Sequence, residues 1–287
     1  MELVSAIITT HNRSALLTRA IESVLSQTYG SIECIVVDDA SSDDTKKKCK
    51  SYPVNYIFIP KDESHGGNYA RNLGIKAAKG KYCAFLDDDD YWMPTKIEKQ
   101  VSLIEEKGCE LVYCGKRNEI VKLSGIVYNE VLPDIHYQGM MSKKILTDIR
   151  ITTSDVLILR QALVDVGLFD ENLRFWQEYE LTIRLAQRKP FYFVNEALTV
   201  YRVDLADSQR LTNKYYEWIN AVKYIHKKHK VLYRRQSFLD KLKTRDLFWR
   251  DAKKRSKASG LAMHYYYYYV LTFIGRCTKK MWKNVTL

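Results

Sequence analysis

The sequence predicts an α/β fold, a mostly parallel central sheet flanked by helices, followed by a basic helical C-terminal extension. Three observations predict it. Apolar runs of strand length alternate with helical periodicities through residues 1–200. Those runs are apolar throughout rather than at every second residue, as in strands covered by helices on both faces. The charge is also split along the chain. Residues 201–287 hold 21 Lys and Arg against 6 Asp and Glu, a net +15, whereas residues 1–200 hold 25 against 28, a net −3. The hydrophobic content of 46% over 287 residues is ample for a core.

The elements follow in order. Residues 3–9 read as a buried strand, and Ser14 is placed to cap a helix whose Leu16, Leu17, Ala20, Ile21, Val24 and Leu25 recur at helical spacing. A strand over 32–37 ends at Asp38-Asp39, and the polar turn 40–44 starts a helix through about residue 50. A strand over 54–59 is followed by a Gly66-Gly67 hinge and a helix over 68–78. The strand Tyr82-Cys83-Ala84-Phe85-Leu86 runs into Asp87, and Pro94 opens the next helix. Residues 115–150 show no regular pattern. Further on, 156–159 read as a strand, 177–188 as a helix stopped by Pro190, and 191–201 as a strand of mixed polarity. From about residue 213 the pattern is basic and helical.

Asp87, Asp88, Asp89 and Asp90 form an unbroken acid run at a strand end. Four adjacent carboxylates repel one another, and gathering them in a fold costs free energy unless a cation offsets the charge. In open α/β sheets ligands collect outside the carboxyl ends of the strands. Carboxylate oxygens suit Mg2+ or Mn2+, and such sites combine one or two carboxylates with substrate phosphates. The run therefore points to a metal and phosphate site, against the plainer reading of a solvated acidic turn. Asp38-Asp39 ends a strand of the same sheet and can face the same ligand.

Six cysteines form no CxxC pair, and Cys34 and Cys83 sit inside strand-like runs, so neither a disulfide framework nor a zinc site is expected. The N-terminus lacks the basic and apolar regions of a secretory signal, and no apolar run is long enough to cross a bilayer. A reducing cytoplasmic compartment is the expectation.

Read together, Ile7-Ile8-Thr9-Thr10-His11-Asn12-Arg13, Ser23-Val24-Leu25-Ser26-Gln27-Thr28-Tyr29, Val36-Val37-Asp38-Asp39-Ala40-Ser41, Ala70-Arg71-Asn72-Leu73-Gly74-Ile75 and Phe85-Leu86-Asp87-Asp88-Asp89-Asp90 resemble family 2 of the glycosyltransferases. The match is ordered and covers roughly residues 3–202. It implies a GT-A fold and a nucleotide-sugar donor, UDP-linked by the family's preference.

The resemblance also implies roles. Thr9 looks like a contact to the nucleotide, and Asp39 resembles the aspartate that accepts a hydrogen bond from the base, as a carboxylate can from a uracil N3–H. One member of the Asp38-Asp39 pair serves the ligand and the other the turn. Arg71 resembles the basic residue beside the nucleotide, the alternative being a solvated helical charge. Asp87 and Asp89 stand as the Asp-x-Asp pair, with Asp89 the direct ligand of Mn2+ or Mg2+ and Asp87 or Asp88 near the ribose. Asp90 is a candidate cap for the helix at Pro94, and Trp92 a core or wall residue. His11 and His65 are further loop candidates.

The segment Trp176-Gln177-Glu178-Tyr179-Glu180-Leu181 looks like the family's Glu-Asp element, with Gln177 and Glu178 in place of the usual Glu and Asp. Glu178 is the candidate catalytic base, and Glu180 is expected to face away as a surface charge or ion-pair partner. The loop Val203-Asp204-Leu205-Ala206-Asp207-Ser208 lacks the histidine that related enzymes carry there.

These readings give an inverting, metal-dependent transfer to a hydroxyl of a glycan or lipid-linked acceptor in bacterial cell-surface polysaccharide synthesis. Residues 1–210 would form the GT-A domain, 1–115 holding the nucleotide-sugar and 116–210 the acceptor side, and 211–287 the extension. The basic clusters and the tyrosine run of the extension suit peripheral contact with anionic lipid at the inner face of the plasma membrane. One alternative is a nucleotidyltransferase, whose Gly-rich phosphate loop is missing. Another is a nucleic-acid-binding protein, which the net-negative first 200 residues oppose, so no nucleic acid is expected as partner.

Overall fold

The structure is a computed structural model describing residues 1–148, 151–206 and 214–285, with side chains through Phe273. The chain divides into two compact units, Met1–Met141 with Arg150–Ala206, and Ser142–Ile149 with Asp207–Leu287. The expected boundary at 210, the helical start near 213 and the loop residues Asp207 and Ser208 lie outside the described residues.

The first unit runs β1 (Val4–Thr10), α1 (Ser14–Leu25), β2 (Ile32–Asp39), α2 (Thr45–Cys49), β3 (Asn55–Ile59), α3 (Gly67–Ala77), β4 (Tyr82–Asp87), β5 (Tyr91–Trp92) and α4 (Lys96–Lys107). It continues through β6 (Leu111–Lys122), β7 (Gly125–Val131), β8 (Val156–Leu159), α5 (Arg160–Asp165), α6 (Gln177–Leu185) and β9 (Phe191–Asp204). The strands form one sheet in the order β3-β2-β1-β4-β8-β6-β9-β5, with β7 paired to β6. Parallel pairing joins β3, β2, β1 and β4, and β6 with β9. The contacts of β5, β7 and β8 are antiparallel, so the sheet is mixed beyond β4.

Burial on both faces explains why the strands are apolar throughout. On one face Val4, Ala6 and Ile8 of β1 pack with Leu17, Ile21 and Val24 of α1 and with Ile97, Val101 and Ile104 of α4. Each such large side chain contributes roughly 1.5–3 kcal/mol on burial. On the other face Ile7 meets α3 so closely that a Cβ on Gly74 would stand 2.5 Å from Ile7 Cγ2. Only glycine permits that approach.

Several local expectations change. Ser14 is the first residue of α1 rather than its cap, and its hydroxyl donates to Asp44. The helix expected at Pro94 opens at Lys96, behind Thr95. The unassigned 115–150 region contributes most of β6 and all of β7, a hairpin whose second strand is exposed along its whole length.

The second unit comprises α7 (Tyr215–Lys228), α8 (Lys230–Arg234), α9 (Phe238–Ala258) and α10 (Ala262–Val285). Ser237 caps α9 by accepting from the Asp240 N–H at 3.1 Å. The Thr244 hydroxyl of α9 donates to the Leu146 carbonyl at 3.1 Å, holding the short 144–147 turn to this unit. Among the described residues no helix is long and apolar enough to cross a membrane. Cys34, Cys49, Cys83, Cys109 and Cys114 are free and buried.

Candidate active site

Parallel pairing brings three motifs to one edge of the sheet. Across the strand ends, Thr10 stands beside Asp38 of β2, and Thr9 beside Asp87 of β4. Thr9 is partly exposed there, whereas Thr10 is buried.

The two aspartates ending β2 divide the work. Asp38 is fully buried; its Oδ1 accepts from the Ser41 N–H at 2.9 Å and its Oδ2 from the Tyr56 hydroxyl at 2.6 Å. Asp38 therefore builds the turn, in which Ala40 takes a left-handed φ of 62°. Asp39 Oδ1 is buried with no hydrogen-bond partner among the described residues. Leaving a buried carboxylate oxygen without a donor is costly. The exposed His11 folds back on the same loop, its Nδ1 against the Asp39 carbonyl.

The four aspartates after β4 point to different partners. Asp87 Oδ1 accepts from Arg71 at 2.6 Å. A single Arg13 guanidinium nitrogen donates to Asp88 Oδ1 at 3.2 Å and to Asp89 Oδ2 at 2.9 Å. Asp88 is 5% exposed, and burial pushes its carboxyl up to about 6 although Arg13 opposes the shift. Asp90 is 1% exposed and turned inward, accepting from the Ser154 hydroxyl at 2.7 Å and the Arg202 N–H at 2.9 Å. It ties the acid turn to β9 and caps no helix. Burial, then the charges of Asp89 and Asp87, hold its carboxyl well above the ordinary range. Trp92 is buried, its indole N–H donating to the Ser154 carbonyl at 2.9 Å.

Arg71 is not a solvated helical charge. It is 6% exposed on α3, bonded to Asp87 and to Asn68 Oδ1 at 3.3 Å. The same helix is stitched to the loop ahead of α6. Asn68 donates to the carbonyls of Asp170 and Leu173 at 2.8 and 2.7 Å, and Asn72 donates to the Phe169 carbonyl and Glu171. Through α3, the Asp87 corner and the approach to Glu178 share one rigid support.

Glu178 sits partly buried in the first turn of α6, after Trp176 in a left-handed conformation with φ 54°. Burial raises its carboxyl above the ordinary glutamate range. Arg71 and Lys116 pull against that shift and Asp87 adds to it, so Glu178 feels the charges of the acid corner. Glu180 is fully buried rather than a surface charge, and Arg184 grips both its oxygens at 2.6–3.1 Å. His65 is exposed with its ring edge-on to Tyr69.

No role for Arg13, Arg19, Glu119 or Arg202 was read from the sequence alone. Glu119 on β6 is 3% exposed and clamped by Arg19 and Arg202, each at 3.0 Å. Burial raises the Glu119 carboxyl, but these hydrogen bonds outweigh it and hold the group below its ordinary range. Arg19 also donates to the Asp89 carbonyl at 3.1 Å, bracing the acid turn. The available signal was an arginine immediately before α1 and another in its second turn.

Among the described residues, no three His, Cys, Asp or Glu side chains are gathered for a metal. An ion sharing its shell with a diphosphate needs only one or two protein carboxylates. Asp87 and Asp89, with side chains 34% and 30% exposed, supply that number, and guanidinium groups already occupy their oxygens as cationic stand-ins. The residues present fit such an ion.

Comparison with known proteins gives a concordant result. The model of the family described as glycosyl transferase family 2 matches residues 5–167. The chain is 34% identical over 211 residues, 72% of its length, to the uncharacterized glycosyltransferase RP339 of Rickettsia prowazekii. It is 39% identical over 148 residues, 49% of its length, to the UDP-Glc:alpha-D-GlcNAc-diphosphoundecaprenol beta-1,3-glucosyltransferase WfaP of Escherichia coli. These matches span 65% and 56% of the two relatives, less than two thirds of each. The fold matches that of S. aureus TarS 1-349 in complex with UDP-GlcNAc, with TM-score 0.60, 14% identity and coverage of 95% of this chain and 89% of that one. It also matches the mannosyltransferase PcManGT of Pyrobaculum calidifontis in complex with GDP-Man and Mn2+, with TM-score 0.57, 15% identity and coverage of 95% and 87%. The chain belongs to glycosyl transferase family 2.

Proposed function

We propose that this chain is an inverting, metal-dependent glycosyltransferase that moves a sugar from a UDP-linked donor to a hydroxyl of a lipid-linked acceptor in surface-polysaccharide synthesis. One observation carries the reading. The unpartnered, buried Asp39 Oδ1 lies at the same sheet edge as the acid turn, so a base acceptor and a phosphate site are set side by side. The donor and acceptor classes are those named for the E. coli relative.

Asp39 accepts from the ring N–H of the base, and Thr9 lies along the nucleotide between Asp39 and Asp87. Asp89 and Asp87 hold a divalent ion, Mn2+ or Mg2+, which when bound supplies Lewis-acid stabilisation of the departing diphosphate. Asp88 lies near the ribose, and Arg71 fixes Asp87 from beneath. Glu178 takes the proton from the acceptor hydroxyl as that oxygen attacks the anomeric carbon from the face opposite the diphosphate, inverting the configuration.

The second unit supports attachment to the cytoplasmic membrane leaflet. Met263, Tyr266, Tyr267, Val270 and Phe273 are exposed at helical spacing along α10. The side chains of Ile274, Cys277, Lys279, Lys280 and Trp282 lie outside those described.

A thermal-shift panel of nucleotide-sugars with and without Mn2+ tests the reading. UDP-sugars should stabilise the protein in the presence of Mn2+, and Asp89→Asn should abolish the Mn2+-dependent part. Stabilisation by no nucleotide-sugar, or equal stabilisation without metal, overturns it.

A further inference from the structure

The second unit contains an open cleft of about 770 Å³ lined by α7, α8 and α9 with Tyr268 of α10. That volume falls within the roughly 300–1,000 Å³ of small-molecule sites. Its body is apolar and aromatic, with Ile219 and Val222 from α7 facing Phe248, Trp249 and Ala252 from α9. The stripe 241, 244, 245, 248, 249 and 252 follows the spacing of one helix face, so α9 turns a continuous side to the cavity.

The charge of the lining is one-signed. Lys223, Lys230, Arg234, Lys241 and Arg245 line the cavity, and no Asp or Glu does. The neighbouring cations Lys214, Lys243, Arg250 and Arg255 are neutralised by Glu217, Asp240, Asp246 and Asp251. Lys223, Lys230, Arg234 and Lys241 have no such ion pair among the described residues. These five side chains are exposed and hydrated, so they need no countercharge, but an anion entering the cleft would meet several unpaired cations beside an apolar wall. His226 lines the same space, stacked on Tyr233 at 4.0 Å, with Nε2 buried and lacking a hydrogen-bond partner among the described residues.

We infer that this cavity binds an isoprenoid diphosphate, the hydrocarbon between α7 and α9 and the diphosphate on the lysines and arginines. This rests on the lipid-linked acceptor proposed above and assigns to the second unit a site of its own, carried by different residues, for a ligand of the same chemical class. A bare phosphate would leave the aromatic walls unused, and a neutral lipid would leave the cations unused.

Isothermal titration calorimetry of the full chain with farnesyl diphosphate tests it, with farnesol, inorganic pyrophosphate and phosphatidylglycerol vesicles titrated alongside. Farnesyl diphosphate should bind more tightly than farnesol or pyrophosphate by about tenfold or more, a difference of roughly 1.4 kcal/mol. Arg234→Glu with Lys241→Glu should weaken it by a similar factor, and Ile219→Trp, which pushes a larger ring into the apolar part of the cleft, should weaken farnesyl diphosphate but not pyrophosphate. UDP binding in the presence of Mn2+ should be unchanged in each variant, which also reports that the chain is folded. Equal affinity for pyrophosphate, equal affinity in the charge-reversed variant, or binding only of vesicles overturns the inference. Farnesyl diphosphate binding by a chain that binds no UDP-sugar would leave the cavity assigned and overturn the catalytic reading; the converse would overturn the cavity alone.

Discussion

One guanidinium nitrogen of Arg13 lies 2.9 Å from Asp89 Oδ2 and 3.2 Å from Asp88 Oδ1, joining the start of α1 to the acid turn 75 residues further on. Arg13 thereby supplies the countercharge that the acid run requires, on an oxygen that a divalent ion would also take.

Arg13→Ala should therefore act oppositely on the two states of the site. Without metal it leaves Asp88 buried and less compensated. Because the Arg13 side chain is 39% exposed, the cost is about 1–2 kcal/mol rather than the ~3–5 of a fully buried broken pair. With Mn2+ the variant should recover most of that loss, since no guanidinium competes for Asp89. Melting curves with and without Mn2+ check this: a larger Mn2+-induced rise in Tm for the variant than for the wild type is expected, and an equal rise refutes the competition.

Asp38→Ala and Asp39→Ala should separate folding from binding. The first removes the acceptor for Ser41 and Tyr56 and should cost about 2–4 kcal/mol of stability, two hydrogen bonds to a buried charge. The second removes an oxygen with no donor, so stability should hold, while UDP affinity falls by about 10- to 100-fold for a charge-assisted bond of roughly 1.5–3 kcal/mol. Denaturant melts and UDP calorimetry on both variants measure the split.

How far this division could be read in advance differs between residues. The strand and helix alternation placed the aspartates at strand ends because backbone periodicity is local. The resemblance pointed to Asp39, but the physical contrast between Asp38 and Asp39 was not legible in the residues themselves, because it depends on Tyr56 reaching from β3 to one carboxylate and not the other. The Arg13 bridge spans 75 residues of sequence, so the position of Arg13 at the head of α1 could be read locally but its partners could not. Glu180 was expected to face away from Glu178 as a surface charge or ion-pair partner; the ion pair is there, with Arg184 one turn on, but the carboxylate is buried rather than exposed. Strand β7 escaped notice since both its faces are exposed, so burial imposes no alternation on it.

Lys96 offers a pH test remote from the site. Its ammonium is fully buried against the Trp92 ring at 4.2 Å, with Gln100 Oε1 at 2.8 Å, and burial pushes it down to about 8. Below that pH the lysine is charged in both folded and unfolded chains, and the folded state bears the full cost. Between about 8 and the ordinary value of 10.5 the unfolded chain holds a proton the folded chain has released, so stability rises with pH. Lys96→Met lacks this term. Wild type should therefore gain on the variant across that window by on the order of 3 kcal/mol. Denaturant unfolding of both proteins measures the difference, in which the opposing titration of Cys34 and Cys83 cancels, while Cys114, which feels the Lys96 charge, is replaced by Ser in both. A difference that stays flat with pH would mean the ammonium is not desolvated as the structure describes.

Glu178→Gln tests the base. The amide keeps the shape of the side chain but cannot take a proton, so kcat should fall by about 10²- to 10⁴-fold, the usual contribution of a positioned acid or base. Donor binding should be unaffected, since Asp39 and the acid turn are untouched. Stability should hold or rise, because burial already disfavours the charged carboxylate. In the wild type the base must be ionised, so the rate should drop as pH falls through a value above the ordinary glutamate range, and this limb should vanish from the residual activity of the variant. Glu178→Asp, which keeps the carboxylate one methylene short, should retain more activity than Glu178→Gln and preserve the acidic limb. Equal losses in the two variants, with an unchanged pH profile, would assign Glu178 to the support of α6 and leave the proton to another acceptor.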